Sequence, residues 1–148
     1  MINVLFPEPD FRMKRQDDRQ YIFDVHRKAW VILTEEEWVR QNFLSFLLNQ
    51  LQYPSSLIAV EKEILLHGMK KRFDILVYDG QHQPWMMIEC KAPQIELNEK
   101  VLRQILIYNQ GIPVPFLVIT NGKTTVGWEK EAGVLRMLTE LPAWTPRP

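Results

Sequence analysis

The sequence has very little cysteine and no excess of either charge. Cys90 is the single cysteine among 148 residues, which excludes an intrachain disulfide and a zinc cage of several cysteines. Eighteen Lys+Arg residues balance 18 Asp+Glu residues, and neither half of the chain departs from that balance. A strongly basic arm for binding nucleic acid is therefore excluded, whereas binding through a local patch is not.

Long hydrophobic runs are absent as well. No stretch approaches the roughly 18 consecutive apolar residues that a membrane span needs, and the N-terminus lacks the basic and apolar regions of a signal peptide. We therefore expect a soluble, cytoplasmic protein without a membrane partner. With 46% hydrophobic and 24% charged residues, the composition is that of an ordinary globular domain and excludes intrinsic disorder.

The length predicts one hydrophobic core. We expect an N-terminal arm or edge segment over residues 1–20, a single domain over 21–140 and a proline-rich tail over 141–148. Two short β-prone runs, residues 21–26 and 29–33, predict an N-terminal β-hairpin.

Two helices follow from capping and periodicity. Thr34 with Glu37 three residues later forms the pattern of a capping box, and the helix is expected to run to about residue 51. The second helix is predicted over residues 98–110, ending at Gly111. Each helix has one apolar stripe, made of Leu44, Leu47, Leu48 and Leu51 in the first and Val101, Leu102, Ile105 and Leu106 in the second.

Five further strands are predicted. Residues 57–66, 72–78 and 85–91 read as an antiparallel meander with turns at His67-Gly68 and Asp79-Gly80. Residues 116–120 are a nearly continuous apolar run, which is typical of a strand buried on both faces, and residues 124–128 complete a hairpin after Asn121-Gly122. The fold class is therefore α/β, with a mixed central sheet flanked by helices.

Three polar residues near strand ends are the best candidates for chemistry. Residues two apart in a strand share a face, so Glu89 and Lys91 point the same way, and Asp74 on the preceding strand is expected within reach of Glu89. Two converging carboxylates suit Mg²⁺ or Mn²⁺, and a lysine beside them can position water or stabilise developing negative charge. The pattern favours phosphodiester hydrolysis, and an ion pair at a strand end is the alternative.

The arrangement resembles the PD-(D/E)xK nuclease superfamily, and more closely a stand-alone version of the N-terminal nuclease domain of type I restriction enzyme R subunits. Phe73 stands where the superfamily name has proline. The segments that carry the resemblance are TEEEWVR (34–40), VE (60–61), RFD (72–74), IECKAP (88–93), QILIY (104–108) and TNG (120–122).

The resemblance implies a restriction-endonuclease-like αβββαβ core. Asp74 and Glu89 would be ligands of Mg²⁺ or Mn²⁺, Lys91 the catalytic lysine, and Gln104 a residue that contacts the phosphate backbone or braces the lysine. Tyr108 completes the Gln-x-x-x-Tyr pattern with Gln104. The implied function is metal-dependent hydrolysis of DNA in restriction or repair, with DNA and either a second copy or a partner protein as partners. The alternative is a non-catalytic module on the same fold that binds nucleic acid or protein.

A third metal ligand is expected from the first helix. Glu37 lines up with its leucine stripe and so points toward the core, which makes it our choice, although it is also the capping-box residue. Glu35, Glu36 and Glu61 remain alternatives. The basic run Lys70, Lys71 and Arg72 is the candidate phosphate-contacting cluster, and a solvated turn is the other reading of it.

Overall fold

A computed structural model describes residues 1–6, 8–66, 68–109 and 112–144. They form a mixed α/β arrangement with two sheets and two α-helices, which confirms the predicted class. The elements in chain order are β1 (Met13–Gln16), β2 (Arg19–Asp24), β3 (Ala29–Ile32), α1 (Glu35–Ser45), β4 (Ile58–Leu66), β5 (Met69–Tyr78), β6 (Pro84–Cys90), α2 (Glu99–Tyr108), β7 (Phe116–Thr120), β8 (Thr125–Glu131) and β9 (Val134–Met137).

The larger sheet has the strand order β4-β5-β6-β7-β8-β9. Strands β4 to β6 pair antiparallel as predicted, and β6 pairs parallel with β7 because α2 carries the chain between them. All five residues of β7 are buried, which confirms a strand covered on both faces. The edge strand β9 was not predicted: its four residues are all exposed and carry no alternation of apolar and polar side chains.

Apolar side chains pack on both faces of this sheet. Phe43 and Leu47 of the first helical segment belong to a cluster with Ile75 and Ile88 of the sheet. Leu106 of α2, together with other α2 side chains, packs against a second cluster on the sheet. The helices therefore flank the sheet as expected, and the arrangement is consistent with a restriction-endonuclease-like fold.

The first helix begins where the sequence predicts and changes type before its end. The hydroxyl of Thr34 accepts a hydrogen bond from the Glu37 backbone N–H at 2.9 Å, as an N-cap should. After Ser45 the chain continues as a π-helical turn, Phe46–Gln50, in which the Leu51 N–H donates to the Phe46 carbonyl. The leucine stripe is retained, with Leu47 fully buried.

The smaller sheet has three strands where the sequence predicted a hairpin. Strands β2 and β3 are that hairpin, and β1 adds to β2 from the segment read as an arm or edge. All four residues of β1 are exposed, so the sequence shows no alternation of buried and exposed side chains that would predict this strand. The turn between β1 and β2 is made by Asp17 and Asp18, both with positive φ, a conformation that aspartate tolerates better than most residues.

Some predictions lie outside the described residues: the turn residue His67, the end of the second helix at residues 110–111 and the tail over 145–148. The division into an arm over residues 1–20, a domain over 21–140 and a tail over 141–148 stays a prediction. Within the described ranges, no helix is both long and apolar enough to cross a bilayer.

Candidate active site

Asp74 and Glu89 meet where β5 and β6 separate. The two strands pair with Ile75 opposite Ile88, so Asp74 and Glu89 occupy the next positions along the sheet. The Asp74 Oδ2 atom accepts a hydrogen bond from the Cys90 N–H at 2.7 Å. This bond satisfies a backbone donor beyond the last strand pair and orients one carboxylate oxygen. Both side chains are about one-fifth exposed, Asp74 at 23% and Glu89 at 21%.

The electrostatics show that the two carboxylates interact. Burial raises the pKa of Glu89, and the charge of Asp74 raises it further. Lys91 opposes this shift, with its Nζ atom 3.5 Å from Glu89 Oε2. A cation placed between the carboxylates would relieve their repulsion.

Lys91 is anchored at its backbone and accessible at its side chain. Its N–H donates to the carbonyl of Thr120 at the end of β7, which extends the parallel pairing one residue beyond β6. The side chain is 35% exposed. The strand geometry predicted from the sequence therefore holds, since Ile88 and Cys90 lie in the core cluster while Glu89 and Lys91 form an ion pair.

The glutamates of the first helix have different surroundings. Glu37 is buried, and its two oxygens accept hydrogen bonds from Arg27 at 2.9 Å and Gln41 at 3.0 Å. Glu36 is 46% exposed, and its pKa is raised by burial and then by the charge of Asp74. Glu35 is exposed and pairs with Gln94. The negative charge of Asp74 therefore acts on the exposed Glu36. Glu37 instead forms hydrogen bonds with Arg27 and Gln41.

A buried arginine, Arg40, lies among these acids. Its side chain is only 5% exposed, and its Nη1 atom is 2.8 Å from Glu61 Oε1. The same guanidinium lies 3.6 Å from Glu37, 3.9 Å from Glu36 and 4.0 Å from Asp74. Arg40 therefore holds the first helix, β4 and β5 together around the site.

Arg40 was not predicted as a site residue, although the sequence carries one signal for it. Arg40 follows Glu36 and Glu37 by four and three residues, which places all three on one side of the helix. Arg27 and the fully buried Asp24 were also missed. They extend the ion-pair cluster into the loop between β2 and β3, where Arg27 contacts both Asp24 and Glu37.

An open cleft of about 710 Å³ adjoins this cluster. It lies between the end of β3, the start of α1, β4 and the loop after β6. Its lining includes Ile32, Glu36, Arg40, Glu61 and Ala92. Ala92 directly follows Lys91, so the cleft reaches the chain next to that lysine, while Asp74, Glu89 and Lys91 themselves are not among its lining residues.

The proposed substrate-contacting residues of α2 and of the start of β5 do not form one cluster. Gln104 is exposed on α2. The Lys71 Nζ atom lies 3.6 Å from the centre of the Tyr108 ring, and Arg72 pairs with Glu61 at 3.0 Å. Lys70 is exposed and 3.9 Å from Glu63. Of this group, Arg72 is joined to the acid cluster through Glu61, and Lys71 with Tyr108 forms a separate pair.

The site offers two neighbouring carboxylates, Asp74 and Glu89, to a divalent cation. No group of three His, Cys, Asp or Glu side chains suited to a metal occurs within the described residues. Mg²⁺, however, is commonly bound through one or two carboxylates, with waters and substrate phosphates as its other ligands. Asp74 and Glu89 fit that pattern.

Together these features define a class of protein. A mixed α/β domain with carboxylates on two adjacent strands and a lysine two residues beyond the second has the arrangement of a PD-(D/E)xK-like nuclease domain.

The comparison with known families agrees. The family described as "Type I restriction enzyme R protein N terminus" matches residues 35–142, well over half of the chain, and the chain belongs to this family. The matched part contains Asp74, Glu89 and Lys91 and leaves out β1 to β3. The family implies interaction with DNA. No curated protein sequence matches the chain.

Proposed function

We propose that the protein is a metal-dependent nuclease that hydrolyses phosphodiester bonds of DNA, in restriction or repair. The observation that supports this most is the convergence of Asp74 and Glu89 from adjacent strands, with the Lys91 ammonium 3.5 Å from Glu89, next to an open cleft. Family membership supports the DNA substrate.

Asp74 and Glu89 would hold Mg²⁺ or Mn²⁺. When bound, such an ion lowers the pKa of a water ligand and offsets charge on the phosphate. The Cys90 N–H holds the Asp74 carboxylate in a fixed orientation. Lys91 orients the attacking water or donates to a phosphate oxygen, because its side chain is anchored by Glu89 and still reaches solvent.

Glu36 is the first-helix acid that we assign to the site in place of Glu37. Glu36 is accessible, and its pKa is raised by burial and by the charge of Asp74. In contrast, both oxygens of Glu37 already accept hydrogen bonds. Gln104 stays a proposed contact to the phosphate backbone, because its exposed side chain is available to a ligand. Lys71, Arg72 and Tyr108 are proposed outer contacts to the same strand.

The decisive experiment measures cleavage of single-stranded and duplex DNA with Mg²⁺, with Mn²⁺ and with EDTA. Lys91→Ala is compared with Lys100→Ala, which removes an exposed lysine from α2. Loss of a positioned proton-transfer or charge-stabilising group lowers rates by roughly 10²–10⁴-fold, so we expect that loss for Lys91→Ala and an unchanged rate for Lys100→Ala. Equal rates in the two variants would refute the role of Lys91.

Metal binding is tested separately by calorimetry with Mn²⁺. Asp74→Asn and Glu89→Gln should each weaken binding, and Glu36→Gln should weaken it more than Glu37→Gln. Folding of each variant is checked by circular dichroism. DNA binding without any metal-dependent cleavage in the wild type would favour the non-catalytic module instead.

A further inference from the structure

The small N-terminal sheet carries cations on one face, in a chain whose net charge is zero. Strand alternation places Arg12, Lys14, Arg19, Tyr21, Phe23 and Trp30 on the same side of β1 to β3. We call this side the cationic face. Ile22 and Asp24 point to the opposite side and are fully buried, so the cationic face looks away from the rest of the protein.

Cations and aromatic rings are in direct contact on the cationic face. The Arg12 guanidinium lies 4.8 Å from the Phe23 ring centre and 5.5 Å from that of Trp30. Lys14 Nζ lies 4.5 Å from the Trp30 ring centre and 5.9 Å from that of Tyr21. These contacts hold positive charge over half-buried rings. The Arg12 and Lys14 side chains remain exposed.

The arginines of this sheet lack acidic partners. In the part of the chain that the structure describes, five arginines lie within 4.0 Å of a carboxylate: Arg27, Arg40, Arg72, Arg103 and Arg136. Arg12, Arg15 and Arg19 do not, and all three lie on or beside the β1–β2 hairpin. No strand residue on the cationic face is acidic, and the aspartates Asp17 and Asp18 lie at the turn of this hairpin. Such segregated positive charge complements a polyanion.

The spacing of the aromatic rings favours single-stranded over duplex nucleic acid. Tyr21 and Phe23 are two residues apart on one strand, a separation of roughly 6.8 Å. Stacked bases in B-DNA rise about 3.4 Å per nucleotide along a strand, so bases seated on successive rings must be unstacked from each other. A single strand offers such bases, whereas a duplex keeps its bases paired inside.

The cationic face also adjoins the open cleft. Tyr21 pairs across the sheet with Ile32, and Ile32 lines the cleft beside Glu36 and Arg40. We propose that the cationic face binds single-stranded DNA and leads it into the cleft. The delivery to the cleft rests on the proposed nuclease function, whereas binding on the face requires no catalysis.

Fluorescence anisotropy of a labelled oligo(dT) strand in EDTA, with the full chain, tests the proposal without cleavage. Arg12→Gln/Lys14→Gln should bind roughly tenfold more weakly than wild type. Each phosphate contact contributes about 0.7 to the salt slope of single-strand binding, so the slope should fall by about 1.4. The matched control Lys100→Gln/Arg136→Gln removes the same charge from other exposed positions and should bind like wild type.

Base stacking is tested through Trp30. Binding should quench tryptophan fluorescence in the wild type, and Trp30→Phe should lose most of that quenching while keeping its affinity within about threefold, since an aromatic ring remains. Wild-type affinity in Arg12→Gln/Lys14→Gln would overturn the proposal, and so would tighter binding of a matched duplex. An absence of cleavage combined with binding that depends on Arg12 and Lys14 would reject the nuclease function and leave the binding surface standing.

Discussion

Replacing Arg40 with methionine removes the cation that lies among four carboxylates and leaves a shorter, unbranched apolar side chain. Arg40 is 5% exposed and lies 2.8 Å from Glu61 and 4.0 Å from Asp74. Removing one partner of a buried ion pair costs about 3–5 kcal/mol. Glu61 is 35% exposed, so water compensates part of the loss, and we expect about 3 kcal/mol.

The measurement is urea and thermal unfolding of wild type and Arg40→Met. For a chain of this length, about 3 kcal/mol corresponds to a fall of roughly 6–12 °C in Tm. Arg103→Met is the matched control, because Arg103 pairs with Glu99 on the exposed surface of α2 at 3.1 Å. An exposed pair of this spacing contributes about 0.3–0.5 kcal/mol.

The loss should also depend on pH. The ion pair with Arg40 lowers the pKa of Glu61 below its value of 4.5 in an unfolded chain. A lowered carboxylate pKa stabilises the fold above pH 4.5, and this contribution disappears as pH falls through the lower folded pKa. The stability gap between wild type and Arg40→Met should therefore be largest near neutral pH and shrink below about pH 4. A gap under about 1 kcal/mol at neutral pH, or one that does not shrink as pH falls from about 5 to about 2, would refute the assigned role of Arg40.

Two further predictions concern the ends of the elements that carry the site. Thr34→Ala should lower the free energy of unfolding by about 1 kcal/mol, because it removes the bond to the Glu37 N–H, while Thr34→Ser should stay close to wild type in urea titrations. Cys90 is buried and burial raises its pKa well above the usual value, so a thiol reagent should label it only on unfolding. Rapid labelling of the native protein would contradict this burial.

Local signals were sufficient for most elements of the matched domain. Thr34 caps α1 as its position predicts, and Asn98 caps α2 through a bond to the Val101 N–H. The four consecutive apolar residues that begin β7 correctly indicated burial on both faces, because such a run has no polar side to present to water. In contrast, β1 and β9 consist of exposed residues, and their pairing depends on backbone hydrogen bonds that leave no periodic pattern in the side chains.

In the candidate site, too, some features were predictable from the sequence and others depended on tertiary contacts. The two-residue spacing of Glu89 and Lys91 places them on one face in any extended strand, so their pairing was predictable from the sequence. The surroundings of the first-helix glutamates were not. Helical periodicity correctly directed Glu37 inward, but the identity of its partners, Arg27 and Gln41, depends on how the β2–β3 loop packs against α1.

By itself, the sequence determined the α/β class, the order of the central elements and the position of Asp74, Glu89 and Lys91 near the ends of adjacent strands, because strand and helix periodicities are properties of neighbouring residues. Tertiary structure alone decided which charges meet across elements. It places Arg40 among four acids, and it leaves Arg12 and Lys14 over aromatic rings without a carboxylate partner among the described residues. A net charge of zero could not reveal this separation, since the sum of charges carries no information about where each one lies on the folded surface.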